Sequence, residues 1–351
     1  MSIIIPAGVL GLLIFIHELG HYFAAKRAGM LVHELSFGMG PRILGVVRGE
    51  TTYSLRILAF GGFVRVASAV GALPEDPPVP RERIYEARPL PSRFAFVAAG
   101  PLMNLVLAVV LMTLVFGVIG VEQPVLDTTV IGDVVAGGPA AGAGLRGGDR
   151  IISVDGKSVS AWNEMVSIVQ ASLGREVELV YERDQQTFGV TVVPAPHPRD
   201  PSVGFLGVAT TVRVQRTGLW AALLQAFAET GRMFTAWFKI VGSLFSGGGV
   251  PDVSGPVGII QMLGEATRFG LANFFYLAAM ISANFALINL FPIPALDGSR
   301  LVFLVVEWVR GRPIPPEQEG RAHMIGYAML MALLVLLTYR DLLRLGGGGS
   351  P

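Results

Sequence analysis

The chain of 351 residues contains no cysteine. A disulfide scaffold is therefore excluded, and with no thiolate to bind a metal, ligation falls to imidazole and carboxylate groups. Charge is also scarce: Asp, Glu, Lys and Arg make up 15% of the residues, against about 25% in an average soluble domain. The net charge of +1 offers no basic footprint for nucleic acid. Apolar residues reach 52%, too many for intrinsic disorder. What is left is a membrane protein, provided the apolar residues are gathered into runs.

They are gathered. Among Asp, Glu, Lys, Arg and His, residues 3–25 carry only His17, Glu18 and His21, while residues 94–121 and 269–296 carry none. A shorter run covers residues 324–339. Crossing the hydrocarbon core takes about 20 apolar residues, so four transmembrane helices are expected. Pro292 and Pro294 should end the third helix early, and the fourth needs tilt or local thinning. Lys26 and Arg27 follow the first run instead of preceding it, the wrong order for a cleaved signal, so that run is expected to be retained.

Short-loop charge sets the orientation. Lys and Arg concentrate between runs one and two, from Lys26 to Arg93, and between runs three and four at Arg300, Arg310, Arg312 and Arg321. Both loops are expected in the cytoplasm, with the long region of residues 122–268 outside. Within the first loop, residues 42–47 and 52–58 alternate like strands around a Gly49-Glu50 turn. Residues 36–66 are too apolar for free solution. They are expected to form a membrane re-entrant β-hairpin, tolerated where protein or a water-filled cavity covers the backbone. A proline-rich polar linker follows at residues 74–91.

Residues 122–200 read as one soluble α/β domain with an Asp155-Gly156 turn and a helix from Trp162, bounded by the prolines of residues 194–201. Within the connector of residues 201–268, residues 219–246 are amphipathic and include Glu229, Arg232 and Lys239. Burying three charges costs more than lying on the bilayer face, so an interfacial helix is expected there. The C-terminal membrane part is residues 269–345, and residues 346–351 are a tail.

His17-Glu18-Leu19-Gly20-His21 is an H-E-x-x-H motif inside the first run. Residues four apart share a helix face, so both imidazoles can bind one metal while Glu18 stands beside its water. Ionisable groups within a span mark a functional site. A catalytic zinc takes three protein ligands. His33 lies just beyond the span. Asp297 closes the third run in N-L-F-P-I-P-A-L-D-G, where a metal ligand, a helix cap and a surface turn are all open readings.

These motifs, with A-A-G-P-L-M-N at residues 98–104, resemble the site-2 protease family of intramembrane zinc metalloproteases. The outer domain resembles a PDZ domain through P-A-A-G-A-G-L-R-G-G-D-R-I-I-S-V-D-G-K-S-V. The resemblance runs through nearly the whole chain and is nearest to the bacterial type that cleaves anti-sigma factors. It implies Zn²⁺ held by His17, His21 and Asp297, with Glu18 as general base and acid. Asn289 becomes a substrate-contacting residue or an interhelical hydrogen-bonding one, and Asn104 a packing residue near the metal. The implied partners are single-span membrane proteins resembling anti-sigma factors, or signal-peptide remnants, together with the lipid bilayer. The hairpin edge would pair with unwound substrate. The implied location is a bacterial cytoplasmic membrane, with the active site toward the cytosol and the PDZ domain outside, gating access by size exclusion or peptide capture. The chain departs from many relatives in showing one PDZ domain instead of two, and in Ser299-Arg300 where Gly-His often follows the L-D-G.

Overall fold

The computed structural model describes residues 4–68, 78–198, 200–246 and 254–346. In chain order the elements are α1 (Ile4–Arg27), β1 (Val32–Arg48), β2 (Thr51–Val66) and α2 (Leu90–Leu114), which runs on into a π-helical turn, Val115–Ile119. There follow β3 (Val121–Pro124), β4 (Ile131–Val134), α3 (Pro139–Gly142), β5 (Arg150–Val154), β6 (Lys157–Ser158) and α4 (Trp162–Gln170). Next come β7 (Val177–Arg183), β8 (Gln186–Val192), β9 (Ala195–His197), β10 (Asp200–Phe205), β11 (Val208–Thr210) and β12 (Val212–Gln215). The last elements are α5 (Leu219–Phe245), α6 (Pro256–Ala266), α7 (Leu271–Leu290), α8 (Asp297–Arg310) and α9 (Pro316–Gly346). The chain divides into two compact units, Met1–Ile119 with Thr217–Pro351, and Gly120–Arg216.

Among the described residues, four helices are long and apolar enough to cross a membrane: Ile4–Arg27, Leu90–Ile119, Leu271–Leu290 and Glu317–Arg344. They match the four runs read from the sequence. The third stops at Leu290, because Pro292 and Pro294 have no amide hydrogen to extend its ladder. The fourth run proves to be the middle of a 31-residue helix. Its polar first turns hid its length from a hydropathy reading. A helix not expected from the sequence, α8, starts at Asp297 itself.

The strands β1 and β2 build more than a simple hairpin. Residues 44–48 pair antiparallel with 55–51, and residues 35–37 with 64–62. Residues 34–37 also lie beside 52–55, with the two runs advancing together, so the ribbon folds back on itself. The fold-back needs Gly38, Gly40 and Gly61, at φ 86°, 83° and 91°, a region closed to most side chains. Along α1, Phe15 meets Phe37 edge-on at 5.3 Å, the Tyr22 and Tyr53 hydroxyls are 2.6 Å apart, and Lys26 Nζ donates to Glu50 Oε1 at 2.8 Å. The sheet therefore runs beside the C-terminal half of α1, with the glycine bend toward Phe15 and the Gly49-Glu50 turn at Lys26. Residues 32–38 are largely covered, while Ile43, Leu44, Val46 and Val47 are exposed apolar residues.

α5 is aligned with α7. Tyr276 donates to Glu229 Oε1 at 3.0 Å, and eight residues further along both helices Trp237 Nε1 donates to Asn284 Oδ1 at 3.0 Å. Trp237 also meets Phe291 at 5.2 Å between ring centroids. Within this packing Glu229 pairs with Arg232 and accepts from Tyr276, which lowers the cost of desolvating it. Ala222, Ala226 and Thr230 form the buried stripe of the helix.

In the second unit the central sheet has the order β6-β5-β7-β8, while β3 pairs with β12, β4 with β11 and β9 with β10. The Asp155-Gly156 turn has φ of 50° and 72°, the left-handed pair of a type I′ hairpin. The core gathers Ile131, Ile151, Val154, Trp162, Met165 and Leu179 with their neighbours. This unit extends to Arg216, past the boundary read at residue 200, because β11 and β12 return to pair with β4 and β3. Alternation over such short strands was too weak to read.

The Glu50 carboxylate accepts from Arg83 and from Lys26, and these two cations hold its pKa down to about 2. A depressed carboxylate stabilises the fold above its unfolded pKa of 4.5 and loses that contribution as pH falls toward 2. Glu50→Gln is therefore expected to speed amide exchange across residues 49–53. The difference from the parent should stay constant from pH 5 to 8 and shrink in acid or high salt.

Candidate metal centre

Two successive turns of α1 present His17 and His21 on its covered face, each 7% exposed. The Asp297 carboxylate meets them from the first turn of α8. Asp297 Oδ2 is 3.0 Å from His17 Nε2 and 3.2 Å from His21 Nε2, and the two Nε2 atoms are 3.1 Å apart. Among the described residues this is the one group of three or more His, Asp or Glu side chains placed to hold a metal ion. Neither His33 nor His197 belongs to it. Of the readings open at Asp297, the carboxylate opens a helix and also faces both imidazoles.

The donor set fits zinc. Metal–ligand bonds of about 2.0–2.1 Å at tetrahedral angles put ligand atoms about 3.3 Å apart, close to the three separations here. His21 Nδ1 lies 2.8 Å from the Phe96 carbonyl. That carbonyl can only accept, so the ring proton belongs on Nδ1 and the Nε2 lone pair faces the cluster. Asn104, fully buried on α2, has its Nδ2 3.5 Å from His17 Nδ1 and its Oδ1 without a partner. Exchanging the amide's O and N, which side-chain shape alone does not distinguish, lets Oδ1 accept the His17 Nδ1 proton. Both Nε2 lone pairs then point at Asp297, and two lone pairs and a carboxylate at such separations call for a cation between them.

Gly100 makes the room. A Cβ there would lie 2.3 Å from His21 Nε2 and 2.7 Å from His17 Nε2. The motif spanning residues 98–104 thus supplies empty space, and next to it come the Phe96 carbonyl and the Asn104 amide, neither flagged in the sequence as a partner of an imidazole. No side-chain pattern announces a backbone carbonyl, so Phe96 was not readable.

Glu18, half-buried, points toward β2, its Cγ 3.4 Å from the place a Cβ on Gly62 would take. Asn289 is not drawn into the cluster: its Nδ2 donates to the Phe285 carbonyl of its own helix at 3.0 Å.

Two imidazoles and a carboxylate converge here with a glutamate adjoining, a donor set of the kind that metal-dependent hydrolases use, in a chain with four membrane-length helices. The model of Peptidase family M50 matches residues 6–333, and the chain belongs to that family. It is 31% identical over 420 aligned positions to the zinc metalloprotease RasP of Shouchella clausii, covering 96% of this chain and 97% of that one. The regulator of sigma-W protease RasP of Bacillus subtilis is 29% identical over 413 positions, with the same coverage. A putative zinc metalloprotease of Clostridium acetobutylicum is 31% identical over 341 positions, covering 97% of each chain. A solved PDZ domain of the SdrC-like protein of Listeria monocytogenes is 20% identical over 25% of this chain and 93% of that one, at a TM-score of 0.22. The protein is a zinc metalloprotease of the membrane.

Because Gly100 borders both proposed ligand atoms, Gly100→Ala is expected to lower bound zinc by about tenfold or more. Helix content should be retained. Elemental analysis and circular dichroism of the detergent-purified protein check the two halves.

Proposed function

We propose that this protease hydrolyses peptide bonds within the transmembrane helices of single-span membrane proteins of the anti-sigma-factor kind or of signal-peptide remnants. The observation that carries the reading is the position of Glu18, between the His17–His21–Asp297 cluster and the edge of β2. Residues 62–64 pair with 37–35 on one side and have no second strand partner among the described residues. A substrate helix hides its amides in its own ladder, so it must unwind before attack. An extended segment added along residues 62–64 would satisfy its freed backbone groups by strand addition and lie beside Glu18.

His17, His21 and Asp297 would hold Zn²⁺, which when bound polarises the scissile carbonyl and acidifies water. The Glu18 carboxylate takes a proton from the attacking water as the new C–O bond forms. It returns that proton to the amide nitrogen as the C–N bond breaks. Asn289 contacts the substrate, once its side chain leaves its bond to the Phe285 carbonyl.

The β1–β2 sheet is re-entrant in this reading, supported by its alignment with α1 from Phe15 to Lys26 and by its exposed Ile43, Leu44 and Val46. The Lys- and Arg-rich loops face the cytosol of a bacterial cell and the unit Gly120–Arg216 faces outward. We read that unit as a PDZ domain from its residue pattern. It gates substrates by excluding bulky ectodomains or capturing a new carboxyl terminus.

Glu18→Gln is expected to reduce cleavage of a single-span substrate in proteoliposomes by about 10²-fold or more, with zinc content unchanged. Retained cleavage would remove Glu18 from the chemistry.

A further inference from the structure

The loop that delivers Asp297, residues 291–296, contains two prolines and has little hydrogen bonding of its own. Within it, Ile293 N donates to Phe291 O at 2.7 Å and Leu296 N to Ile293 O at 3.0 Å. Two residues before Asp297, Ala295 has φ 79°, a left-handed backbone that alanine does not adopt by preference. Something outside the loop must hold it there.

The side chain at that position is His323, on the second turn of α9. The Ala295 amide donates to His323 Nδ1 at 3.1 Å. Nδ1 must then carry a lone pair, which puts the ring proton on Nε2, 3.6 Å from Glu319 Oε1. The imidazole is 14% exposed and packed edge-on to Phe303 of α8 at 5.8 Å between centroids. One turn along α9, Gly326 abuts the loop directly, since a Cβ there would fall 2.2 Å from the Pro294 carbonyl oxygen and 2.3 Å from its carbon. The fourth span thus touches the loop at two successive residues, once by a hydrogen bond and once by bare backbone.

We propose that His323 is a positioning residue for the metal centre: its Nδ1 holds the Ala295 peptide in the left-handed conformation that aims Asp297 at His17 and His21. The proposal rests on the reading of Asp297 as a metal ligand. The brace joins the fourth span, which is otherwise mostly exposed apart from its contact with α6 through Asp341, to the metal site. It also connects α8, through Phe303, to the same imidazole.

The test is Co²⁺ titration of the full-length, metal-stripped protein in detergent, following the visible ligand-field bands and measuring affinity by chelator competition. Asp297→Ala serves as the reference for loss of a ligand. His323→Leu is expected to weaken Co²⁺ binding by about 10- to 100-fold, the range for partners that orient ligands, and to alter the band pattern. His323→Asn places an amide oxygen where Nδ1 sits and is expected to restore affinity to within about threefold of the parent. His323→Gln places its oxygen near the Nε2 position and is expected to behave like the Leu variant. Unchanged affinity and spectrum in His323→Leu would overturn the proposal, as would equal loss in the Asn and Gln variants. Should His323→Leu fail to fold, the Asn–Gln comparison decides alone. Parent-like Co²⁺ binding by Asp297→Ala would instead overturn the ligand reading on which the proposal stands.

Discussion

The structure depends on a convergence of like polar groups: two imidazole nitrogens and a carboxylate oxygen within about 3 Å of each other, among helices with almost no other charge. In an apolar surround such an arrangement holds together only if every remaining polar atom has a partner and a cation fills the centre. The neighbouring residues follow from that requirement. The Phe96 carbonyl takes the His21 ring proton, Asn104 stands at the corresponding nitrogen of His17, and Gly100 keeps the space open. Ser282 then ties the Asn104 backbone to α7, so α2 is a scaffold on which α1 and α7 are both registered.

The sheet beside α1 meets a different demand. Buried backbone must be paired, and β1 and β2 fold back on each other until the covered inner runs have neighbours. Glycines at positive φ permit the bend, and the Lys26–Glu50–Arg83 ion pairs fasten the turn at the end of α1. Among the described residues, the 62–64 edge next to Glu18 has no second strand partner. A proteolytic centre that must handle an unwound helix needs such an edge, and the proposed function draws on it.

Legibility in the sequence followed the length and strength of each pattern. The four apolar runs stood out because spans are long and ionisable groups are few, and the H-E-x-x-H stood out because it interrupts one of them. The I′ turn at Asp155-Gly156 was readable from turn chemistry alone. Helix α8 was not, because its 14 residues are too few for a span and follow two prolines, so that Asp297 reads as the close of the third run and not as the opening of a new helix. The alignment of α5 with α7 was also hidden. Glu229 looks costly in isolation, and its offset comes from Tyr276, 47 residues away.

By itself the sequence determined what is local and chemical: four spans, imidazole and carboxylate as the available metal ligands, and a shared helix face for His17 and His21. Tertiary structure alone decided what depends on separations across the chain. It set Asp297 against residues 276 and 280 positions earlier, placed a backbone carbonyl at His21, and set His323 behind Ala295. Helical periodicity acts over one turn and is written in neighbouring residues. A metal site instead forms where separate elements meet, and their meeting is settled by packing and by the cost of leaving a buried polar atom unpaired.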